Sequence, residues 1–116
     1  MESEHNKTII RRIFEELLPM PEFPPELEDL IDSEFHDHDA ADPQHAHGVA
    51  SIRATHAYLT RRFPGGPRFT IDDILAEGDK VAVRWSAGPV RAIAWFRLRN
   101  GKIVDRWAIV TGPPAR

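Results

Sequence analysis

Asp105 sits in the run Lys102–Thr111, where Ile103, Trp107 and Ile109 alternate with it. Side chains in a strand repeat every two residues, so Ile103, Asp105, Trp107, Ile109 and Thr111 share one face. Val104, Arg106, Ala108 and Val110 take the other. A carboxyl group in such apolar company is desolvated, which raises its pKa and suits a general acid or base. The other reading of Asp105 is a structural ion pair with an arginine on a neighbouring strand, because buried charges are usually paired. Arg84, set among Val81, Val83 and Trp85, is the natural partner. Its guanidinium can grip a carboxylate bidentately or stabilise an enolate or alkoxide oxygen.

His36 and His38 alternate onto one strand face, and His45 and His47 follow within the next residues. Four imidazoles so close suggest a metal, yet a site needs three or four converging ligands and no ligand from another element is evident, so none is expected. His38 reads either as an acid/base or hydrogen-bond donor, or as a strand-end histidine bonded to the loop backbone. His56 falls on an apolar helical stripe and is either a core histidine or a ligand contact. Trp85, Trp95 and Trp107 offer aromatic area for a flat apolar ligand, or for a core or dimer contact.

The elements that must position these residues follow from periodicity. Asn6 can cap a first helix with Ile9, Ile10, Ile13, Phe14, Leu17 and Leu18 on one side, ended by Pro19. Pro25 opens a short second helix with Leu27, Leu30 and Ile31, followed by a brief strand over Glu34–His38. After the Asp39–His47 loop, Gly48 leads into a third helix striped by Val49, Ile52, His56, Leu59 and Phe63. From Arg68 the period becomes that of strands, over Phe69–Ala76, Lys80–Ala87, Val90–Arg99 and Lys102–Thr111. The turns between them are Glu77-Gly78-Asp79, Gly88-Pro89 and Asn100-Gly101. The last is suited to a type I′ hairpin. Helices first and hairpins after predict one α+β domain over residues 1–116, three helices packed on one face of a curved antiparallel sheet.

Composition narrows the function. The 116 residues are 41% hydrophobic and 28% charged, a globular balance. Net charge is −3 with basic residues scattered, which argues against nucleic acid. No apolar run approaches the roughly 20 residues of a membrane span. Without cysteine, thiol chemistry and disulfides are excluded. The polar start Met1–Lys7 has no signal-peptide pattern, and a cytoplasmic location is expected.

Several runs carry a family likeness: Phe35-His36-Asp37-His38-Asp39 with Pro43 and Gly48; Phe63-Pro64; Thr70-Ile71-Asp72-Asp73-Ile74; Ala76-Glu77-Gly78-Asp79-Lys80-Val81-Ala82-Val83-Arg84-Trp85; and Gly101-Lys102-Ile103-Val104-Asp105-Arg106-Trp107. In order and spacing the chain resembles the SnoaL-like polyketide (ester) cyclase family of the NTF2-like superfamily. The resemblance implies a cone-shaped roll with an apolar cavity. It also implies cyclase- or isomerase-type acid/base chemistry on a polyketide-like or other carbonyl substrate, with no cofactor required. On that reading Asp105 is the base and Arg84 or His38 the oxyanion partner. Trp85, Trp95, Trp107, His36, His56 and Thr111 would contact a small apolar or aromatic molecule, and the remaining sheet face would form a homodimer. Two departures accompany the likeness. Only Gly88-Pro89 stands where the family has a long arm, and Thr111 occupies the position of the cyclases' catalytic aspartate, before a Gly112–Arg116 end in place of a closing helix. These departures support the alternative of a non-catalytic ligand-binding or dimerisation module.

Overall fold

A computed structural model describes residues 2–113. Helix α1, Glu2–Arg12, runs without interruption into a π-helical turn, Ile13–Leu17, in which the Leu18 amide reaches back to the Ile13 carbonyl. Helix α2, Pro25–Asp29, starts at a proline that fixes the first helical position. Strand β1 is Ile31–Asp37, and after a single 3-10 turn at Pro43–His45 comes helix α3, Gly48–Arg62. Strands β2 (Thr70–Glu77), β3 (Lys80–Ala87), β4 (Val90–Arg99) and β5 (Lys102–Thr111) complete the order. Among the described residues no helix is long and apolar enough to cross a membrane.

The sheet order is β1-β5-β4-β3-β2. The last four strands form the expected meander, and Asn100 (φ 53°) and Gly101 (φ 76°) both adopt the left-handed conformation of a type I′ turn. Strand β1 departs from an all-antiparallel sheet: it lies at the edge, parallel to β5. The α3 crossover does not separate them directly; the whole meander intervenes before the chain returns beside β1. Asn6 is also no helix cap. It is buried one turn inside α1, and its amide reaches the Gly78 carbonyl at the β2–β3 turn, 3.5 Å away.

The helices cover one face of the sheet. Ile10, Phe14 and Leu17 meet Val81, Val83 and Trp85 of β3 and Ala94, Phe96 and Leu98 of β4 in a continuous core. The opposite face is left open. Two local irregularities decide which residues see the core. Between Leu98↔Ile103 and Arg97↔Asp105, β4 advances one residue while β5 advances two, and Val104 is the extra one. Such a bulge reverses the facing of everything beyond it. A similar step occurs in β2 at Asp72.

Candidate functional site

A cavity of about 390 Å³ lies between the sheet's helix-covered face, the π turn after α1, and α3. Its walls are apolar and aromatic: Ile13 and Phe14 from the π turn, Ile52 and Leu59 from α3, Phe69, Trp85 and Phe96 from the sheet side. Trp85 and Phe69 meet edge to face at 5.1 Å, with Phe14 on both. The size and lining fit a small-molecule pocket, in which a few polar groups fix the ligand's orientation.

Those polar groups come from the end of β1, from β5 and from α3. Asp37, Asp39 and Arg106 line the cavity together with Thr55, Tyr58 and Arg62. Asp37 is only 3% exposed. Its two oxygens accept from Arg106 Nη1 at 2.9 and 3.0 Å, and Oδ1 also accepts the Asp39 amide at 3.1 Å. A buried carboxyl group met by a guanidinium nitrogen and a backbone amide is fixed by the fold, and it holds the guanidinium in place. Arg106 Nη1 lies 3.5 Å from the Asp39 carbonyl, while Nε and Nη2 have no hydrogen-bond partner among the described residues. Asp39 continues the strand ladder with its side chain: Oδ2 accepts the Ala108 amide of β5 at 2.8 Å, where a strand carbonyl would otherwise stand. Its Oδ1 has no partner among the described residues.

The bulge at Val104 corrects the facing expected for β5. Arg106 points into the cavity, opposite Phe96, whereas Asp105 pairs in register with Arg97 and Trp107 with Trp95, on the open face. The partner of Asp105 is therefore not Arg84 but Arg97, whose Nε and Nη2 both reach Oδ2 at 2.7 Å. Arg84 is exposed on the same open face, in register with Asp73 and Ile93. His38 does meet Asp105, Nε2 to Oδ1 at 2.9 Å, outside the cavity. The expected rise of the Asp105 pKa is reversed as well. Burial pushes it up, but the hydrogen bonds and charges of His38 and Arg97 hold the carboxyl below its ordinary value.

Of the remaining candidates, Trp85 lines the cavity. Thr111 is exposed and touches the cavity only at its rim beside Gly112 and Pro113, since the register of β5 sets it with Trp107 and Ile109, and its Oγ1 donates to the Arg91 carbonyl at 3.4 Å. Trp95 and Trp107 are 48% and 39% exposed on the open face. His56 is buried beside the cavity without lining it; its Nε2 is 2.7 Å from the Met20 carbonyl, and Phe23 packs against its ring. His36 is sandwiched between His38 and His47, with ring centroids 3.9 and 4.4 Å away, and His38 lies flat on Trp107 at 4.5 Å. Stacked rings send their nitrogens outward at their edges instead of onto one point. Among the described residues no three His, Asp or Glu side chains form a metal-sized group. His45 pairs with Asp42 at 2.7 Å instead.

Sequence reasoning missed Asp37, Asp39 and Arg106 as a group. No sequence signal marked them: that Ile103 and Val104 are both buried, which strict alternation on a half-covered strand does not allow, is visible only in the fold.

Residues 10–106 match the model of the SnoaL-like domain. No curated protein sequence matches the chain. Among solved structures it resembles a protein described as a SnoaL-like polyketide cyclase from Jannaschia sp. CCS1, with 19% identity, 94% of this chain and 87% of the other covered, and a TM-score of 0.75. IdmH from Streptomyces antibioticus, described as a polyketide cyclase, matches at 22% identity, 90% and 91% coverage and a TM-score of 0.72. An NTF2-like protein of unknown function from Mesorhizobium loti matches at 26% identity, 97% and 95% coverage and a TM-score of 0.71.

Proposed function

The chain belongs to the SnoaL-like domain family, and from that premise we propose that it binds a small, flat, carbonyl-bearing molecule in the cavity and carries out acid/base chemistry of the cyclase or isomerase type there. The observation that carries this reading is Arg106. A guanidinium fixed by a buried carboxylate, with Nε and Nη2 left over, stands at the polar end of an otherwise aromatic cavity. Donors held in place by the fold cost little reorganisation when negative charge develops on a carbonyl oxygen, and they act strongly where water is excluded. Trp85, Phe69 and Phe96 supply a surface for a planar ring system. The names of the polyketide cyclases among the structural relatives agree with a carbonyl-rich substrate. Proton transfer of this kind needs no redox or metal cofactor.

Thr111 favours a second reading, a ligand-binding module without turnover, since the cyclases' carboxylate is replaced there by a hydroxyl. Both readings require an occupied cavity, which is the first thing to test. β-Tetralone, a flat bicyclic ketone, is expected to quench tryptophan fluorescence saturably. Ile52→Trp, which fills the cavity from α3, is expected to weaken that binding more than about tenfold. Unsaturable quenching, or quenching indifferent to Ile52→Trp, would remove the cavity from the function.

The open sheet face supports a homodimer. Leu75, Ala82, Trp95 and Trp107 follow one another in register across it, and in the next row Ile93 and Ile109 continue from Asp73 and Arg84. A charged row of Glu77, Lys80, Arg97 and Asp105 borders them. An exposed apolar centre with a polar rim is the anatomy of a protein contact.

A further inference from the structure

The family's carboxylate position on β5 is a threonine here, so cavity chemistry that moves a proton needs another carrier. Among the described residues that line the cavity, only Asp37 and Asp39 carry carboxylates. Asp37 is spent: both its oxygens are taken by Arg106, and Oδ1 also takes the Asp39 amide. Asp39 is different. One oxygen is pinned by the Ala108 amide of β5, which fixes the side chain's direction, and the other is unengaged. Arg106 stands next to it, its Nη1 against the Asp39 carbonyl. Asp39 is exposed, so the pair stands at the solvent-facing mouth of the cavity; a positioned carboxylate and a fixed guanidinium side by side there are the two groups that enolisation requires.

We propose that Asp39 is the catalytic base and returning acid of this chain, working opposite Arg106, so that the function lost from the Thr111 position is supplied from the end of β1. The inference rests on the cavity reading above. In the step, Asp39 Oδ1 takes the proton from the carbon next to the ligand's carbonyl. The C–H bond breaks, its electron pair becomes the enolate double bond, and the negative charge moves to the carbonyl oxygen, where the free Arg106 N–H groups donate to it. Where a C=C bond of the ligand is conjugated with the new enolate, the dienolate regains the proton from Asp39 at its far carbon, which is isomerisation; otherwise the enolate attacks a second carbonyl of the same molecule. In the latter case a C–C bond closes the ring and the new alkoxide takes the proton from Asp39. No oxidant or reductant enters.

β-Tetralone, measured against a protein-free control for spontaneous exchange of its α-protons, tests this in D₂O by proton NMR on the full chain, alongside fluorescence-measured binding. The wild type is expected to accelerate exchange. Asp39→Asn keeps an oxygen for the Ala108 amide and is expected to bind within about threefold of wild type while losing exchange by about a hundredfold or more. Asp39→Glu, which restores a carboxylate at slightly longer reach, is expected to recover part of it. Exchange that survives Asp39→Asn overturns the assignment of Asp39 and leaves the cavity reading intact; wild type that binds β-tetralone without accelerating exchange overturns the assignment and the acid/base chemistry together and leaves the cavity as a binding site. Absence of binding to the wild type overturns both.

Discussion

At Asp105 the balance of forces is opposite to what its neighbours in sequence imply. Ile103, Trp107 and Ile109 suggest desolvation, but His38 and Arg97 converge on the carboxylate and their effect outweighs burial. A carboxyl held below its unfolded value contributes stability that is present above that unfolded value, about pH 4, and is lost as pH falls through the lower folded value. Asp105→Asn is therefore expected to cost about 1–2 kcal/mol near pH 7. Measured by urea unfolding, the gap between wild type and variant should shrink steadily once the pH drops below about 4; a gap that stays constant from pH 7 to 3 would show that the charge of Asp105 contributes nothing. The residue has thus moved from a candidate in the cavity to a brace of the open face, where it steadies His38 against Trp107. Asp37 does the equivalent for Arg106 inside the cavity, and there the braced group faces the ligand space.

Among the elements, β5 matters most, because its register determines which of its residues enter the cavity. The Asn100-Gly101 turn sets the pairing of β4 with β5, and the bulge at Val104 then exchanges the faces. Gly101, at φ 76°, has room for a Cβ, since the nearest atoms would be at 3.8 Å or beyond. Its requirement is conformational instead. Gly101→Ala is expected to destabilise the chain by about 1–2 kcal/mol through the left-handed backbone alone, checked by denaturant unfolding. A loss below about 0.3 kcal/mol would mean that the turn relaxes to another type at no cost, against the strain expected of an L side chain there. The elements themselves were legible beforehand: the four hairpin strands and α3 follow from period and punctuation, and the turn type from Asn-Gly. The facing of β5 beyond Val104 was not, because a bulge is one residue of excess length and leaves the composition of the strand unchanged. The edge placement of β1 was equally hidden, since pairing between β1 and β5 joins segments about seventy residues apart and no local signal encodes it.

For the whole molecule, the two faces of the sheet differ in what covers them. The covered face encloses the cavity; the open face carries Ile93, Trp95, Trp107 and Ile109, with exposures from 39% to 75%. Strands about 4.8 Å apart make the five-stranded face broad enough for the roughly 800 Å² per partner of a standard interface. Sedimentation at micromolar concentration is expected to give a dimer. Trp107→Glu, which places a charge at the centre of the patch, is expected to give a monomer with an unchanged fold by circular dichroism. Monomeric wild type under the same conditions would count against the open face as a dimer contact.

By itself the sequence determined the α+β order of helices and hairpins, the absence of thiol chemistry, the family likeness and the threonine at the cyclases' aspartate position. Those properties depend on residue type and spacing along the chain, which are local. Only the tertiary structure decided that Asp105, His38, Trp95 and Trp107 lie outside the cavity while Asp37, Asp39 and Arg106 lie within it. The facing of a strand has a period of two, so on β5 a single extra residue at Val104 is enough to turn Asp105 and Trp107 outward and Arg106 inward, while Asp37 and Asp39 reach the cavity through the pairing of β1 with β5.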